Sequence, residues 1–178
     1  MDINGKKAIV FGGTSGIGLS ATQMLSDKGA HVIAVSRNPE KLKEVPKNVT
    51  TKKINVLDRE AIEQFFEEEG EYDILVNSAT GGSRAVGPFL GMDLDGYKAS
   101  FDKLWGYTNV VRYGAKSLKN DGNIVLVSGS PARKCRPGQI AISSVGGAVE
   151  AFARGIAPEI APKRINIVSP GIIDTPMS

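Results

Sequence analysis

The fold is decided by the stretch Ala8-Ile9-Val10-Phe11-Gly12-Gly13-Thr14-Ser15-Gly16-Ile17-Gly18. The apolar residues at its start predict a buried β-strand, and the residues after Gly16 follow a helical pattern, so the glycines occupy a strand-to-helix turn. Residues without a Cβ let backbone amides and the helix N-terminus approach a pyrophosphate, and the last glycine lets the helix pack closely on the strand. The stretch therefore predicts the first unit of a dinucleotide-binding α/β domain.

Short apolar runs recur along the rest of the chain and are separated by helical patterns. The runs cover residues 8–11, 31–35, 53–56, 74–76, 124–127 and 165–168. Helices are predicted at residues 16–27, from an N-cap at Asp58 onward, at 97–118 and at 141–160. Strands that are apolar throughout and alternate with helices indicate a parallel sheet covered on both faces. We expect one doubly wound α/β domain of Rossmann type over residues 1–178, with ligand-binding residues in the glycine-rich stretch 80–95.

Composition argues against several functional classes. The chain has one cysteine, Cys135, and one histidine, His31, which leaves no internal disulfide and no Cys- or His-based metal site. The formal net charge of +3 comes from scattered basic residues, which disfavours nucleic-acid binding. No continuous apolar run approaches the ~20 residues of a membrane helix, and the first residues begin no signal peptide. We expect a cytoplasmic protein with no metal, no nucleic-acid partner and no membrane association.

The spacing Gly12-x-x-x-Gly16-x-Gly18 resembles the glycine motif of the short-chain dehydrogenase/reductase superfamily, with Phe11 at its usual threonine. Two later segments are similar to that family as well. Asn77-Ser78-Ala79-Thr80 resembles its N-N-A-G segment, and Ser169-Pro170-Gly171-Ile172-Ile173-Asp174-Thr175 resembles the P-G-x-x-x-T segment that contacts the nicotinamide end. The resemblance covers essentially the whole chain. It implies an oxidoreductase that transfers hydride to or from a small carbonyl or alcohol substrate.

The family also continues past the late segment with a substrate-covering stretch and a further strand. This chain ends at Ser178. We therefore expect either a chain that is truncated or disordered beyond this point, or an unusually open substrate side.

The second apolar run ends in Ser36-Arg37, where an NAD-specific site usually places a carboxylate on the ribose 2′-hydroxyl. Arg37, helped by Ser36 and Ser15, is suited instead to pair with a 2′-phosphate through charge-assisted hydrogen bonds. The alternative is an exposed loop arginine. The sequence thus predicts NADP(H) as the cofactor. With the resemblance, the predicted cofactor-binding residues are Gly12, Thr14, Ser15, Gly16, Ile17, Gly18, Ser36, Arg37, Asn55, Val56, Asn77, Ala79, Pro170, Gly171, Ile173 and Thr175.

Family members use a tyrosine acid/base, a lysine, a serine and a helix asparagine, and the resemblance locates each position here. Ile142 falls at the tyrosine and Gly146 at the lysine, and neither side chain can move a proton. Gly129 falls at the serine, although a shift of one residue lets a neighbouring serine serve. Lys103 falls at the asparagine, where it would supply a cation near the nicotinamide ribose or else reach solvent along its helix. The candidate catalytic residues are Lys103, Ser128 and Ser130.

Two classes of function stay open on the sequence. The first is an atypical NADP(H)-dependent oxidoreductase whose proton comes from another group, with Arg133, Lys134 and Ser143 as further candidates. The second is a catalytically inactive NADP(H)-binding regulatory or scaffold protein. General acid–base catalysis contributes ~10²–10⁴-fold, so a site without its proton donor would reduce an ordinary ketone slowly. The late segment 170–175 favours the first class, because a protein using only the adenine half of the cofactor would not need it.

The resemblance also implies a homodimer or homotetramer assembled through the helices predicted at 97–118 and 141–160. The second of these helices is rich in small residues that would let helices approach closely, or that would pack on the sheet instead. These residues are Gly146, Gly147, Ala148, Ala151 and Ala153.

Overall fold

A computed structural model describes residues 2–173 of the chain. Six parallel strands form one sheet in the order β3-β2-β1-β4-β5-β6, with helices between them. This confirms the predicted doubly wound α/β fold. The elements are β1 (Lys7–Phe11), α1 (Gly16–Asp27), β2 (His31–Ser36), β3 (Val49–Lys53), α2 (Arg59–Glu69), β4 (Tyr72–Asn77), α3 (Leu94–Ala99), α4 (Asp102–Ser117), β5 (Leu118–Val127), α5 (Ile140–Ile160) and β6 (Arg164–Val168).

The centre of the sheet is buried on both faces. β1 lies between β2 and β4, with Val10 in register with Ala34 on one side and with Val76 on the other. One core cluster contains Phe11 together with side chains of α2, α4 and α5, and the other contains Val10 with residues that pack against α1. Helices therefore cover both faces of the sheet and hold the carboxyl ends of its central strands at one edge.

The third strand differs from its predicted position. The sequence predicted residues 53–56, whereas β3 occupies Val49–Lys53. β3 is an edge strand with β2 as its only neighbour in the sheet, and only Val49 among its residues is buried. An edge strand tolerates polar side chains, so apolar content does not mark it. Val56 is buried from the following loop, which explains why residues 53–56 looked like a strand.

The helix predicted at 97–118 is wrong in extent. The chain forms two helices, α3 and α4, and residue 118 already begins β5. Ser100 lies at the break, where its hydroxyl donates to the Gly96 carbonyl at 2.9 Å and accepts the Ala85 amide at 2.8 Å. A hydroxyl that bonds locally to backbone competes with regular helix, and here it also fixes the preceding loop.

α5 is long and apolar enough to cross a membrane by length and composition alone. Continuous apolar runs do not reveal it, because serines and glycines interrupt its sequence. In this fold its buried face, which includes Val145, Val149 and Ala153, belongs to the core cluster on one side of the sheet. The core helix of an α/β domain passes the same test of length and composition.

Candidate functional site

A cleft of about 950 Å³ opens where the strands end. Its wall includes the glycine turn after β1, residues after β2 and β4, and residues that follow β5 and β6. β1 pairs with β2 on one side and with β4 on the other, so the chain leaves β1 at the point where the order of strands reverses. Ligands of doubly wound sheets bind in the crevice at this point.

The turn after β1 has a backbone that glycine favours. Gly12 and Gly16 have φ of 76° and 49°, in the region that residues with a Cβ rarely adopt. A Cβ on Gly18 would collide with the carbonyl oxygen of Gly12, so this glycine lets α1 pack on the turn. Ser15 is the N-cap of α1 and makes no side-chain cap hydrogen bond, which leaves the first-turn amides without a side-chain partner. Such a turn is suited to hold a diphosphate.

The end of β2 is joined to the glycine turn by hydroxyl groups. The Thr14 hydroxyl donates to Ser36 Oγ at 2.9 Å, and both residues line the cleft. Arg37 follows, exposed at the cleft wall, with Lys41 a short distance along the chain. These groups can donate hydrogen bonds and carry positive charge, as the 2′-phosphate of a nucleotide requires.

On the other side of the cleft, Ser128 and Gly146 lie against each other. The buried Ser128 hydroxyl donates to the Gly146 carbonyl at 3.2 Å. A Cβ on Gly146 would lie 2.9 Å from the Cβ of Ala132 and 3.1 Å from Ser128 Oγ. Ile142, one helical turn earlier on α5, lines the cleft with an aliphatic side chain. Position 146 thus has no room for a larger side chain unless its neighbours shift.

Lys103 on α4 also lines the cleft and is partly buried. Its Nζ lies 5.5 Å from the ring centroid of Tyr107, which is fully buried and donates to the Val127 carbonyl at 2.7 Å. Burial, helped by the positive charge of Arg84, lowers the pKa of Lys103 to about 8. An amine with this pKa can hold or release a proton near neutral pH.

Glu150 on α5 ties together two loops of the cleft wall. Its side chain is buried, Oε1 accepts the Ser169 hydroxyl at 2.8 Å, and Oε2 lies 3.1 Å from Arg133 Nε. Burial alone would raise the pKa of Glu150, but the hydrogen bonds from Ser169 and Arg133 outweigh it and hold that pKa below its ordinary value. The carboxylate thus fastens the loops that follow β5 and β6 to α5.

Most residues predicted for the site line this one cleft. They are Gly12, Thr14, Ser15, Gly16, Ile17, Ser36, Arg37, Val56, Ala79, Lys103, Ser128, Ser130, Pro170, Gly171 and Ile173.

Three predicted cofactor residues do not line the cleft, and a fourth lies outside residues 2–173. Gly18 packs behind the turn, and exposed Asn55 accepts the Leu57 amide at 3.1 Å. Asn77 is buried, accepts the Ala79 amide at 3.0 Å, and its Nδ2 has no hydrogen-bond partner among the residues described. Thr175 lies outside the described residues. The role of each of the four stays a prediction.

Two arginines of the cleft wall, Arg84 and Arg136, were not predicted as site residues from the sequence. Both lie in loops that carry no motif. The signal that could have found them is positional, because each loop follows a central strand at the edge where ligands bind.

Comparison with known proteins identifies relatives over the length of the chain. Residues 6–178 match the family model described as short chain dehydrogenase. The chain is 32% identical over 183 residues to L-xylulose reductase of Bos taurus, which covers 97% of this chain and 74% of that protein. It is 32% identical over 191 residues to 2,3-dihydro-2,3-dihydroxybenzoate dehydrogenase of Bacillus subtilis (strain 168), covering 98% of this chain and 72% of that protein. A crystal structure of a short chain dehydrogenase from Burkholderia cenocepacia J2315 in complex with NADP superposes with a TM-score of 0.91 at 29% identity, covering 100% of this chain and 77% of that one.

Proposed function

We propose that this chain, which belongs to the short-chain dehydrogenase family, binds NADP(H) in the cleft and transfers hydride between that cofactor and a small carbonyl or alcohol substrate. The observation that carries the proposal is that the glycine turn and Arg37 line the same cleft. Thr14 and Ser36 lie between them, and no acidic side chain between residues 2 and 173 lines the cleft. The Burkholderia cenocepacia relative, crystallised with NADP, supports the choice of cofactor.

The residues present fit the phosphates of NADP(H). The glycine turn and the first-turn amides of α1 would hold the diphosphate, and Arg37 with Ser36 would hold the 2′-phosphate. When bound, NADPH supplies a hydride to the carbonyl carbon, so that one proton delivered to the carbonyl oxygen yields the alcohol and NADP⁺. The chain must therefore provide or relay that proton.

We place the tyrosine and lysine of the family at Ile142 and Gly146, and neither of these side chains can transfer a proton. We therefore propose Lys103 as the proton donor. Lys103 is partly buried in the cleft wall, and its lowered pKa of about 8 suits proton donation. Ser128 and Ser130 line the same cleft and would hold the substrate oxygen. Lys103 would donate to that oxygen directly or through one of the serines.

The second candidate function is a protein that binds NADP(H) without turnover. It is favoured by the Ser128 hydroxyl, whose proton is already donated to the Gly146 carbonyl at 3.2 Å. It is also favoured by Ile142, which brings an aliphatic side chain to the cleft wall.

Calorimetry with NADPH and NADH tests the cofactor. We expect tighter binding of NADPH, and a loss of about tenfold or more in NADPH affinity for Arg37→Ala, with NADH affinity unchanged. Arg59→Ala, an exposed arginine on α2 away from the cleft wall, serves as the matched control. Equal affinities for the two cofactors would refute the pairing of Arg37 with a phosphate.

Loss of NADPH absorbance with a panel of aldehydes, ketones and quinones separates the two functions. Turnover above the buffer rate supports the oxidoreductase. Tight NADPH binding with no turnover on any member of the panel supports the non-catalytic protein.

We also propose that the protein forms a homodimer through α4 and α5. Trp105 on α4 is 60% exposed, although it is a large apolar side chain. Gly147 and Gly155 on α5 have open space where a Cβ would lie, so another helix can approach this surface closely. Light scattering at micromolar concentration tests the assembly, and a monomeric mass would contradict it.

A further inference from the structure

The wall of the cleft is strongly unbalanced in charge. In the described part of the chain its charged residues are all basic: Arg37, Lys41, Arg84, Lys103, Lys134 and Arg136. No Asp or Glu between residues 2 and 173 lines it. The whole chain has 22 Lys and Arg against 19 Asp and Glu, so the imbalance belongs to the cleft and not to the composition.

The basic residues divide into two groups by their place on the sheet. Arg37 and Lys41 follow β2, on the side where the proposed function places the 2′-phosphate. The other four lie after β4, on α4 and after β5, and are called here the distal cations: Arg84, Lys103, Lys134 and Arg136. β4 and β5 lie on the opposite side of β1 from β2. The adenosine phosphates of the cofactor therefore do not account for the distal cations.

The distal cations have no carboxylate partner within the described chain. The salt bridges there involve Lys6, Lys7, Lys52, Lys119 and Arg133. Arg133, which directly precedes Lys134 in the sequence, differs from the distal cations because it pairs with a carboxylate, that of Glu150. Arg84 is near enough that its charge helps burial to lower the pKa of Lys103. The positive charges of Arg84 and Lys103 thus lie close together with no carboxylate of residues 2–173 paired to either, and a bound anion would stabilise such an arrangement.

Hydrogen bonds from backbone amides anchor the loops that carry the distal arginines. The Gly87 amide donates to the Gly138 carbonyl at 2.9 Å, which joins the loop after β4 to the loop after β5. The Ala85 amide, next to Arg84, donates to Ser100 Oγ at 2.8 Å. Cations on anchored loops lose less freedom when they bind an anion, which raises affinity.

We propose that three of the distal cations, Arg84, Lys134 and Arg136, bind an anionic oxygen group, a carboxylate or a phosphate, on the substrate, while Lys103 serves the carbonyl oxygen. The inference rests on the proposed function and names the substrate class for the same site. Guanidinium groups bind such anions with two parallel hydrogen bonds, and an ammonium adds a point charge. Carbonyl compounds that carry a carboxylate or phosphate are then the substrates, and their neutral analogues bind weakly.

Alkylation of Cys135, the sole cysteine of the chain, measures the charge of the site without any cofactor. Cys135 is exposed and lines the cleft between Lys134 and Arg136. The ratio of its alkylation rates by anionic iodoacetate and neutral iodoacetamide is measured in the native chain and in the chain unfolded in urea. The unfolded chain keeps the same sequence neighbours, so an excess in the native ratio reports the cations that folding brings together.

We expect the native ratio to exceed the unfolded ratio roughly fivefold at low salt and to fall toward it in 1 M NaCl. Arg84→Gln should lower the native ratio at least about twofold. Arg59→Gln, which removes an exposed arginine away from the cleft wall, should leave it unchanged. Equal ratios in the native and unfolded chains, or no effect of Arg84→Gln, would overturn the proposal.

Matched ligand pairs test the substrate class. With NADP⁺ bound, 4-carboxybenzaldehyde should protect Cys135 from iodoacetamide at about tenfold lower concentration than methyl 4-formylbenzoate. Glyceraldehyde 3-phosphate against glyceraldehyde provides the phosphate pair, and the pair with the larger ratio identifies the group. Protection by the neutral members at equal concentration would overturn the proposal. Failure of NADPH to bind would instead refute the proposed function, while the cysteine ratio would still decide the charge of the site.

Discussion

Replacement of Glu150 by glutamine tests whether one buried carboxylate holds the distal wall of the cleft together. Glutamine keeps the shape of the side chain but removes its charge. The hydrogen bond from Ser169, at 2.8 Å, changes from charge-assisted to neutral, which costs about 1 kcal/mol. The pair with Arg133 adds at most about 0.5 kcal/mol, because the arginine side chain is 71% exposed and solvent screens it. We expect Glu150→Gln to lower the free energy of unfolding by roughly 1.5 kcal/mol at pH 7.

The pH dependence of this difference has a definite sign. Hydrogen bonds hold the pKa of folded Glu150 below its ordinary value of 4.5. A carboxyl whose pKa is lowered by folding stabilises the protein above its ordinary pKa, and that stabilisation is lost as pH falls through the folded pKa. The difference between wild type and Glu150→Gln should therefore be constant from pH 7 down to about 5 and shrink below it.

Urea unfolding followed by circular dichroism at pH 7, 5 and 4 measures the difference, and the expected midpoint shift on heating is about 3–6 °C. Glu159→Gln, an exposed carboxylate in the last turn of the same helix, is the matched control and should change stability by less than about 0.5 kcal/mol. If Glu150→Gln is as stable as this control, or if the difference does not shrink at low pH, the carboxylate does not anchor the two loops.

Three further predictions concern the site and the assembly. Lys103→Met keeps the aliphatic stem and removes the amine, so turnover should be lost while NADPH affinity changes less than about threefold. Reduction by the wild-type protein should slow as pH rises through about 8, the pKa of Lys103. Unchanged turnover in the variant would exclude Lys103 as the proton donor. Gly18→Ala places a Cβ against the Gly12 carbonyl and should cost about 1–3 kcal/mol in urea unfolding, whereas Gly91→Ala, exposed and with open space at its Cβ, should cost nothing. Trp105→Glu should convert the proposed dimer to a monomer in light scattering, because it places a charge in the apolar interface; a dimer of unchanged affinity would put the interface elsewhere.

The architecture was predictable because its first strand is marked twice, by its apolar residues and by the glycine turn at its end. The run 8–11 is buried and leads into a turn in which Gly12 and Gly16 have positive φ, so composition and turn chemistry agree. β3 was misplaced because an edge strand buries little. Its Thr50, Lys52 and Lys53 point to no buried face. The break between α3 and α4 was missed because it depends on Ser100 meeting Ala85, a contact between segments that no local pattern encodes.

The residues on the cofactor side of the site were easier to predict from the sequence than those on the substrate side, for a similar reason. The glycine turn and Arg37 lie within two consecutive strand-to-helix units, where spacing determines geometry. The opposite wall is assembled from α4, from loops after β4, β5 and β6, and from Glu150, which acts at a distance from the cleft. Arg84 and Arg136 line one cleft from two loops that are far apart in sequence and are joined by the hydrogen bond between the Gly87 amide and the Gly138 carbonyl. Such convergence depends on tertiary structure.

The close approach of Ala132 to position 146 restricts the mutational paths open to this chain. A single substitution of Gly146 by any larger residue must displace a backbone-attached methyl group at 2.9 Å, which costs about 1–3 kcal/mol. After Ala132→Gly, the added Cβ meets Ser128 Oγ at 3.1 Å, which a rotamer change can relieve, and the Cα of residue 132 at 3.6 Å, an ordinary van der Waals distance. The two positions are therefore epistatic, and the order of substitution matters. A library that varies residue 146 alone should therefore be enriched in glycine, whereas one that varies residues 132 and 146 together should accept larger side chains at the cleft wall.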